Sequence, residues 1–323
     1  MKKKLLIAAP LMALVLSLCG CTSIITTGYP HAKNYSVGSA QIAGPVENLE
    51  IDWVDGAVIL QYAKQNQVAF TETAPKALNE NETVHWWLDG GTLRIQYGAS
   101  GVQHFDNLQK RLTVTLPEGS QLKNLRVAAS SADISADPLY ADQLNLSVTS
   151  GSIQGKYAAS DLSLSSTSGD MRVTAGGNEI KLNCTSGNID AVIEKVGKLT
   201  ANATSGTLRI QGNDVSQAKL NGTSGKIDVS LIKGEELEAK NTSGGIRAQI
   251  GEVKKVTAGA TSGNIDILLR KGQGFTADIG TTSGNIRSNI ASAKEDNRYT
   301  AGDGSMTIRL TATSGNVTLS EYE

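Results

Sequence analysis

Leu182-Asn183-Cys184-Thr185-Ser186-Gly187-Asn188-Ile189-Asp190 returns 19 residues later as Ala201-Asn202-Ala203-Thr204-Ser205-Gly206-Thr207-Leu208-Arg209. It returns again as Leu220-Asn221-Gly222-Thr223-Ser224-Gly225-Lys226-Ile227-Asp228. The shared Thr-Ser-Gly begins at Thr149, Thr167, Thr185, Thr204, Thr223, Thr242, Thr261, Thr282 and Thr313, at spacings of 18, 18, 19, 19, 19, 19, 21 and 31. A period near 19 is too short for a pair of helices and fits one coil of a strand solenoid. The fold expected is all-β: a parallel β-helix-like solenoid of ~19-residue, two-strand rungs.

Working outward from each glycine, apolar residues alternate with polar ones on both sides. Seven and five residues before it stand pairs such as Leu199 and Ala201, or Leu237 and Ala239; two and four after it stand pairs such as Leu208 and Ile210, or Ile265 and Ile267. Period-two alternation gives two half-buried strands per repeat. Thr-Ser-Gly forms the corner between them, because glycine adopts backbone shapes that other residues resist. One rung cannot bury its apolar face alone; stacked rungs bury a continuous core. Stacking at about 4.8 Å makes nine to eleven rungs a rod about 45–50 Å long. Cys184 falls on an inward, small-residue position and is read as core rather than nucleophile. Asn183, Asn202 and Asn221 form an outward polar row.

Another outward row, three residues past each glycine, reads Arg172, Asp190, Arg209, Asp228, Arg247, Asp266, Arg287. One reading is a carboxylate pair for glycoside cleavage: Asp190 and Asp228 would lie two rungs apart, about 9.6 Å. The other is a structural charge ladder. An arginine between each two aspartates favours ionised carboxylates, which are unsuited to act as acids, and the ladder is the reading adopted.

The repeat extends beyond its Thr-Ser-Gly spelling. Ser130-Ser131-Ala132 with Ile134 fits the frame, as do Leu49, Ile51, Trp53, Gly56, Val58 and Leu60, and also Val84, Trp86, Leu88, Gly91, Leu93 and Ile95. Further strand-like runs lie at 68–71 and 112–116. Residues 45–120 are read as an N-terminal β cap or small sandwich that hides the open edge, and 121–323 as the repeat array. The 31-residue jump after Thr282 predicts a surface excursion, with Met306–Leu310 and Asn316–Leu319 closing the far end. Outward aromatics, which a glycan groove would need, are scarce; Tyr157 and Phe275 are read as isolated ones, and the scarcity slightly favours a protein partner over a glycan.

The chain opens with Lys2-Lys3-Lys4 and an apolar run from Leu5 to Leu18. That pattern predicts a secretory signal over 1–20, too short to be read first as a membrane span. Leu18-Cys19-Gly20-Cys21 resembles a bacterial lipobox, which implies cleavage after Gly20 and a diacylglycerol on Cys21, with 21–44 as the lipidated cysteine and its tether. Cys184 is then the one remaining thiol, so no internal disulfide is expected. Removing the three signal lysines leaves 27 basic residues against 31 acidic ones. Such a chain lacks the electrostatic footprint of a nucleic-acid binder. Aromatics at 4% suit a narrow aliphatic core and argue against a deep ligand pocket. His31, His85 and His104 are scattered without metal-ligand spacing, and no phosphate loop or nucleophile elbow is present. No metal, cofactor or catalytic residue is expected.

Three stretches carry a family likeness: Asn48-Leu49-Glu50-Ile51-Asp52-Trp53-Val54-Asp55-Gly56-Ala57-Val58, Leu112-Thr113-Val114-Thr115-Leu116-Pro117-Glu118-Gly119, and the Thr-Ser-Gly-x-Ile units at Thr185 and Thr261. Together they resemble the bacterial "putative adhesin" repeat-strand family, domain of unknown function 4097, over about residues 45–320. The resemblance implies the solenoid fold and brings no catalytic residues. The function expected is a lipid-anchored, extracytoplasmic, non-catalytic binding, adhesion or envelope-scaffold module. Its partners are the membrane through the lipid, and an envelope protein or a glycan. The alternatives are an accessory to an envelope-stress sensor and a carbohydrate-active hydrolase or lyase.

Overall fold

A computed structural model describes residues 28–323 except 103, 104 and 106; Cys21, the expected signal and His104 lie outside the described residues. Strands Ile189–Ser205, Leu208–Ser224, Ile227–Ser243 and Ile246–Ser262 each run from one Thr-Ser-Gly corner to the next. Every such strand therefore contains a departure arm, a second bend and an approach arm. Neighbouring coils pair in parallel with equivalent residues opposite each other: Ile189, Leu208, Ile227 and Ile246 form one ladder, and Leu199, Ala218, Leu237 and Val256 another. These side chains are at most 3% exposed, and one core cluster runs from Ile42 to Leu319. The all-β solenoid expected from the repeat is the fold observed.

The corners are held by backbone. Gly206 N–H donates to Ser224 O at 3.1 Å, and Gly225 N–H to Ser243 O at 3.1 Å. Gly225 has φ +129, and a Cβ there would overlap the carbonyl oxygen of Gly206 in the coil beneath. Glycine is thus required both for its backbone conformation and for the close approach of stacked corners. The variation between 18 and 19 residues is absorbed at the second bend. There Ala175 pairs with Ile193 but Gly177 with Val196, a one-residue bulge.

Both ends depart from sequential stacking. Asn48–Ala63 lies between the coil at 124–136 and a terminal rung built from Thr92–Gln96 and Arg111–Pro117. Gly91 is not a solenoid corner: His85–Asp89 and Thr92–Gln96 form an antiparallel hairpin around Gly90 and Gly91. Ser36–Val37 and Ala40–Gln41, expected within the tether, pair onto His85–Asp89 and Ala69–Thr73. At the other end, Met306–Ser314 and Val317–Tyr322 do not close the stack. They insert between the coil of Ile246–Arg270 and the strands Phe275–Ser283 and Ile286–Ser288. The stretch expected to be a surface excursion supplies Arg298–Ala301, which pairs antiparallel with Phe275–Ser283, and Ala293–Glu295 beyond it.

Candidate functional site

The departure arms present an outer face made of the third and fifth residues past each corner. Register places Arg172, Asp190, Arg209, Asp228, Arg247 and Asp266 side by side on six successive coils. The row then departs from the expected order. Thr318 of the inserted strand stands beside Asp266, and Arg287 lies beyond Thr318. Arg209 Nη1 reaches Asp190 Oδ2 at 3.5 Å, while Arg172 pairs with Asp170 at 3.8 Å and Lys226 with Asp228 at 3.4 Å. Asp190 and Asp228 are separated by the strand that carries Arg209. Side chains at the corner close a further ladder: Asn188 N–H donates to Asp170 Oδ1 and Thr207 N–H to Asn188 Oδ1, each at 2.9 Å.

At its N-terminal end this face sinks into an open hollow of about 650 Å³, rimmed by Gln61, Asp137, Lys156, Arg172 and Asp190. Gly155 contributes no side chain there, and Lys156 bridges to Asp137 at 3.2 Å. The surface offers paired charges and hydrogen-bonding groups on a rigid backbone, which suits polar recognition.

Cys184 is 4% exposed and its Sγ donates to Gly169 O at 3.5 Å. Burial pushes its thiol up to about 11, a poor nucleophile at neutral pH. Tyr157 and Phe275, expected to face outward, are buried at 2% and 0%; their positions fall on inward phases of the arms. His85 is buried with Nδ1 bonded to Thr83 O at 2.8 Å, and His31 packs against Trp87 at 5.5 Å between ring centroids. Among the described residues, no group of three or more His, Cys, Asp or Glu is placed to hold a metal ion.

Three features escape the sequence frame. The first is a second alternating charge row at the second bend: Lys195, Asp214, Lys233 and Glu252 are paired in register, and Arg270 reaches Glu252 at 3.2 Å. Its signal is the same period of 19, eight residues past the glycine from Lys195 to Glu252. The second lies under the terminal corner, where Lys110 is fully buried. It forms an ion pair with Glu72 at 2.5 Å and stacks 3.9 Å from the Tyr97 ring centroid. Tyr97 Oη donates to Asp55. Desolvation lowers the Lys110 pKa against the pull of Glu72. The third is aromatic: Tyr29, Tyr35 and Trp87 cluster on the outer face of the cap with Arg94, and Tyr62 meets Tyr140 at 6.0 Å. The last two features occur once in the chain, so periodicity carries no signal for them.

This is the architecture of a repeat-strand solenoid with hairpin-closed ends. Residues 46–192 and 161–320 both match the family Toastrack DUF4097, and the chain belongs to that family. Solved structures of bacterial proteins are similar along nearly their whole length. A "putative adhesin" from Parabacteroides merdae shares 18% identity, with 90% of this chain and 97% of that chain covered and a TM-score of 0.48. A "putative lipid binding protein" from Parabacteroides distasonis shares 14%, covering 92% and 98% with a TM-score of 0.42. A "putative cell adhesion protein" from Clostridium sporogenes shares 12%, covering 89% and 99% with a TM-score of 0.19. No curated protein matches the chain in sequence.

Proposed function

We propose that the protein is a non-catalytic binding and scaffold module of the cell envelope, held on the extracytoplasmic side of a membrane by lipid on Cys21. The observation that carries this reading is the outer face of the departure arms. Six coils hold compensated charges in fixed register across a rigid sheet, and an open hollow of about 650 Å³ adjoins them. Such a face displays a fixed pattern of donors and acceptors to a partner without a deep pocket. The aspartates of the row are interleaved with arginines, an arrangement fitted to stacking and recognition rather than proton transfer. The signal and lipobox residues supply the address.

The test has two parts. Cys21→Ala in cells should shift the protein out of the membrane fraction or leave it uncleaved, with loss of lipid label. A variant that fractionates and labels like the wild type defeats the anchor. Purified protein should turn over no member of a broad polysaccharide panel, and turnover abolished by Asp228→Asn in a folded variant would establish an enzyme instead.

A further inference from the structure

From Lys195 to Glu252 the second bend carries its alternating charge row. In the coils before it, one outward position at this bend is uncharged in three successive coils. Tyr140 pairs in register with Ala158, and Ala158 with Gly176. One half-exposed aromatic ring is thus followed along the stack by a methyl group and a bare backbone. Two hollows, of about 280 and 320 Å³, are both lined by Gln121 and Tyr140 and so adjoin each other as a groove across these coils.

Tyr140 is 46% exposed, one of three large apolar side chains so exposed among the described residues. Its backbone N–H donates to Tyr62 Oη at 3.2 Å, which fixes the second ring beside it. The rim consists of Gln121, Glu118, Ser160 and Asn178, and Gln121 Nε2 is oriented by Asp142 at 2.6 Å.

We infer that this groove binds a linear, uncharged glycan, one pyranose ring resting on Tyr140 and the chain running over Ala158 and Gly176. A tyrosine face gives apolar contact to the C–H face of a sugar while its edge stays polar. Amide and carboxylate rim groups accept from and donate to hydroxyls on both sides. Glu118 is the charged residue of this lining and it is acidic, which disfavours an anionic polymer. A strand spacing of about 4.8 Å lets successive coils meet successive sugar residues. The inference rests on the binding-module reading and names its ligand class.

The test uses full-length protein in detergent with cellohexaose and chitohexaose as probes, followed by titration calorimetry. At least one should bind with a Kd below about 1 mM. Tyr140→Ala should weaken that binding at least tenfold, and Ala158→Arg, which places a long side chain in the groove, should abolish it. Arg298→Ala, on the antiparallel strand at the far end of the stack, should bind as the wild type does. The inference is overturned if neither probe binds, if Ala158→Arg binds unchanged, or if an acidic polysaccharide such as polygalacturonate binds in their place. Any of these outcomes leaves the envelope-scaffold reading standing, because that reading falls only if Cys21→Ala fractionates and labels like the wild type or if turnover is found.

Discussion

Gly225 shows what a single residue contributes to a stacked corner. Its φ of +129 disfavours any side chain, and a Cβ would collide with the Gly206 carbonyl, which belongs to backbone and cannot rotate away. Gly225→Ala should therefore destabilise the protein by about 2 kcal/mol, the scale of a strained backbone position. Gly280, by contrast, lies in an approach arm, and a Cβ there meets nothing within 4 Å. Gly280→Ala should change stability by less than about 0.5 kcal/mol or raise it slightly, since alanine restricts the unfolded chain. Chemical denaturation of the two variants separates the cases. Equal losses would mean that stacking contact is not what selects the corner glycines.

At the scale of the element, the charge rows act between strands. Arg209 sits between Asp190 and Asp228 in register, so Arg209→Asp places three carboxylates in a line. Each like-charged neighbour costs roughly 0.2–1 kcal/mol, less in salt. Half-exposed side chains keep the figure at that surface scale. The variant should melt below Arg209→Ala at low ionic strength, and the gap should shrink at high salt. A further role is register: a slip by one whole coil would oppose arginine to arginine while leaving the apolar ladders matched. Identical melting of the two variants at low salt would remove the ladder from the account of stability.

On the scale of the whole molecule, the ends are woven rather than added. Asn316 N–H donates to Asn264 Oδ1 across 52 residues of sequence, and Gly315 stacks on Gly263 while Gly284 stacks on Gly315. Met306–Tyr322 therefore joins the penultimate coil to the terminal strands. Removing 305–323 should do more than shorten the rod by one rung. It takes away Ile308, Leu310, Val317 and Leu319, all fully buried, each contributing about 1.5–3 kcal/mol. It also leaves Phe275–Ser283 without its parallel neighbour. Trypsin should then cut at Arg270 and Lys271 in the truncated protein well before it cuts them in the full chain. Equal resistance would contradict the interleaved order.

The sequence by itself determined the coil. Thr-Ser-Gly, the alternation around it and the spacing near 19 specify arms, corners, inward ladders and the neighbours of Arg172 through Asp266, because identical local patterns stacked in register have one low-energy arrangement. Only the tertiary structure decided the ends. Gly91 and Gly206 look alike in a period-two frame, yet one turns a hairpin and the other a corner, since unpaired strand edges must be closed by whatever chain lies near. The same need drew Thr318 between Asp266 and Arg287. It also placed Lys110, with no periodic partner, in a buried pair with Glu72 that only three-dimensional proximity could make. The groove at Tyr140 was likewise invisible, because it arises where the second bend changes length and the charge row stops, a feature defined by neighbouring coils and not by any one of them.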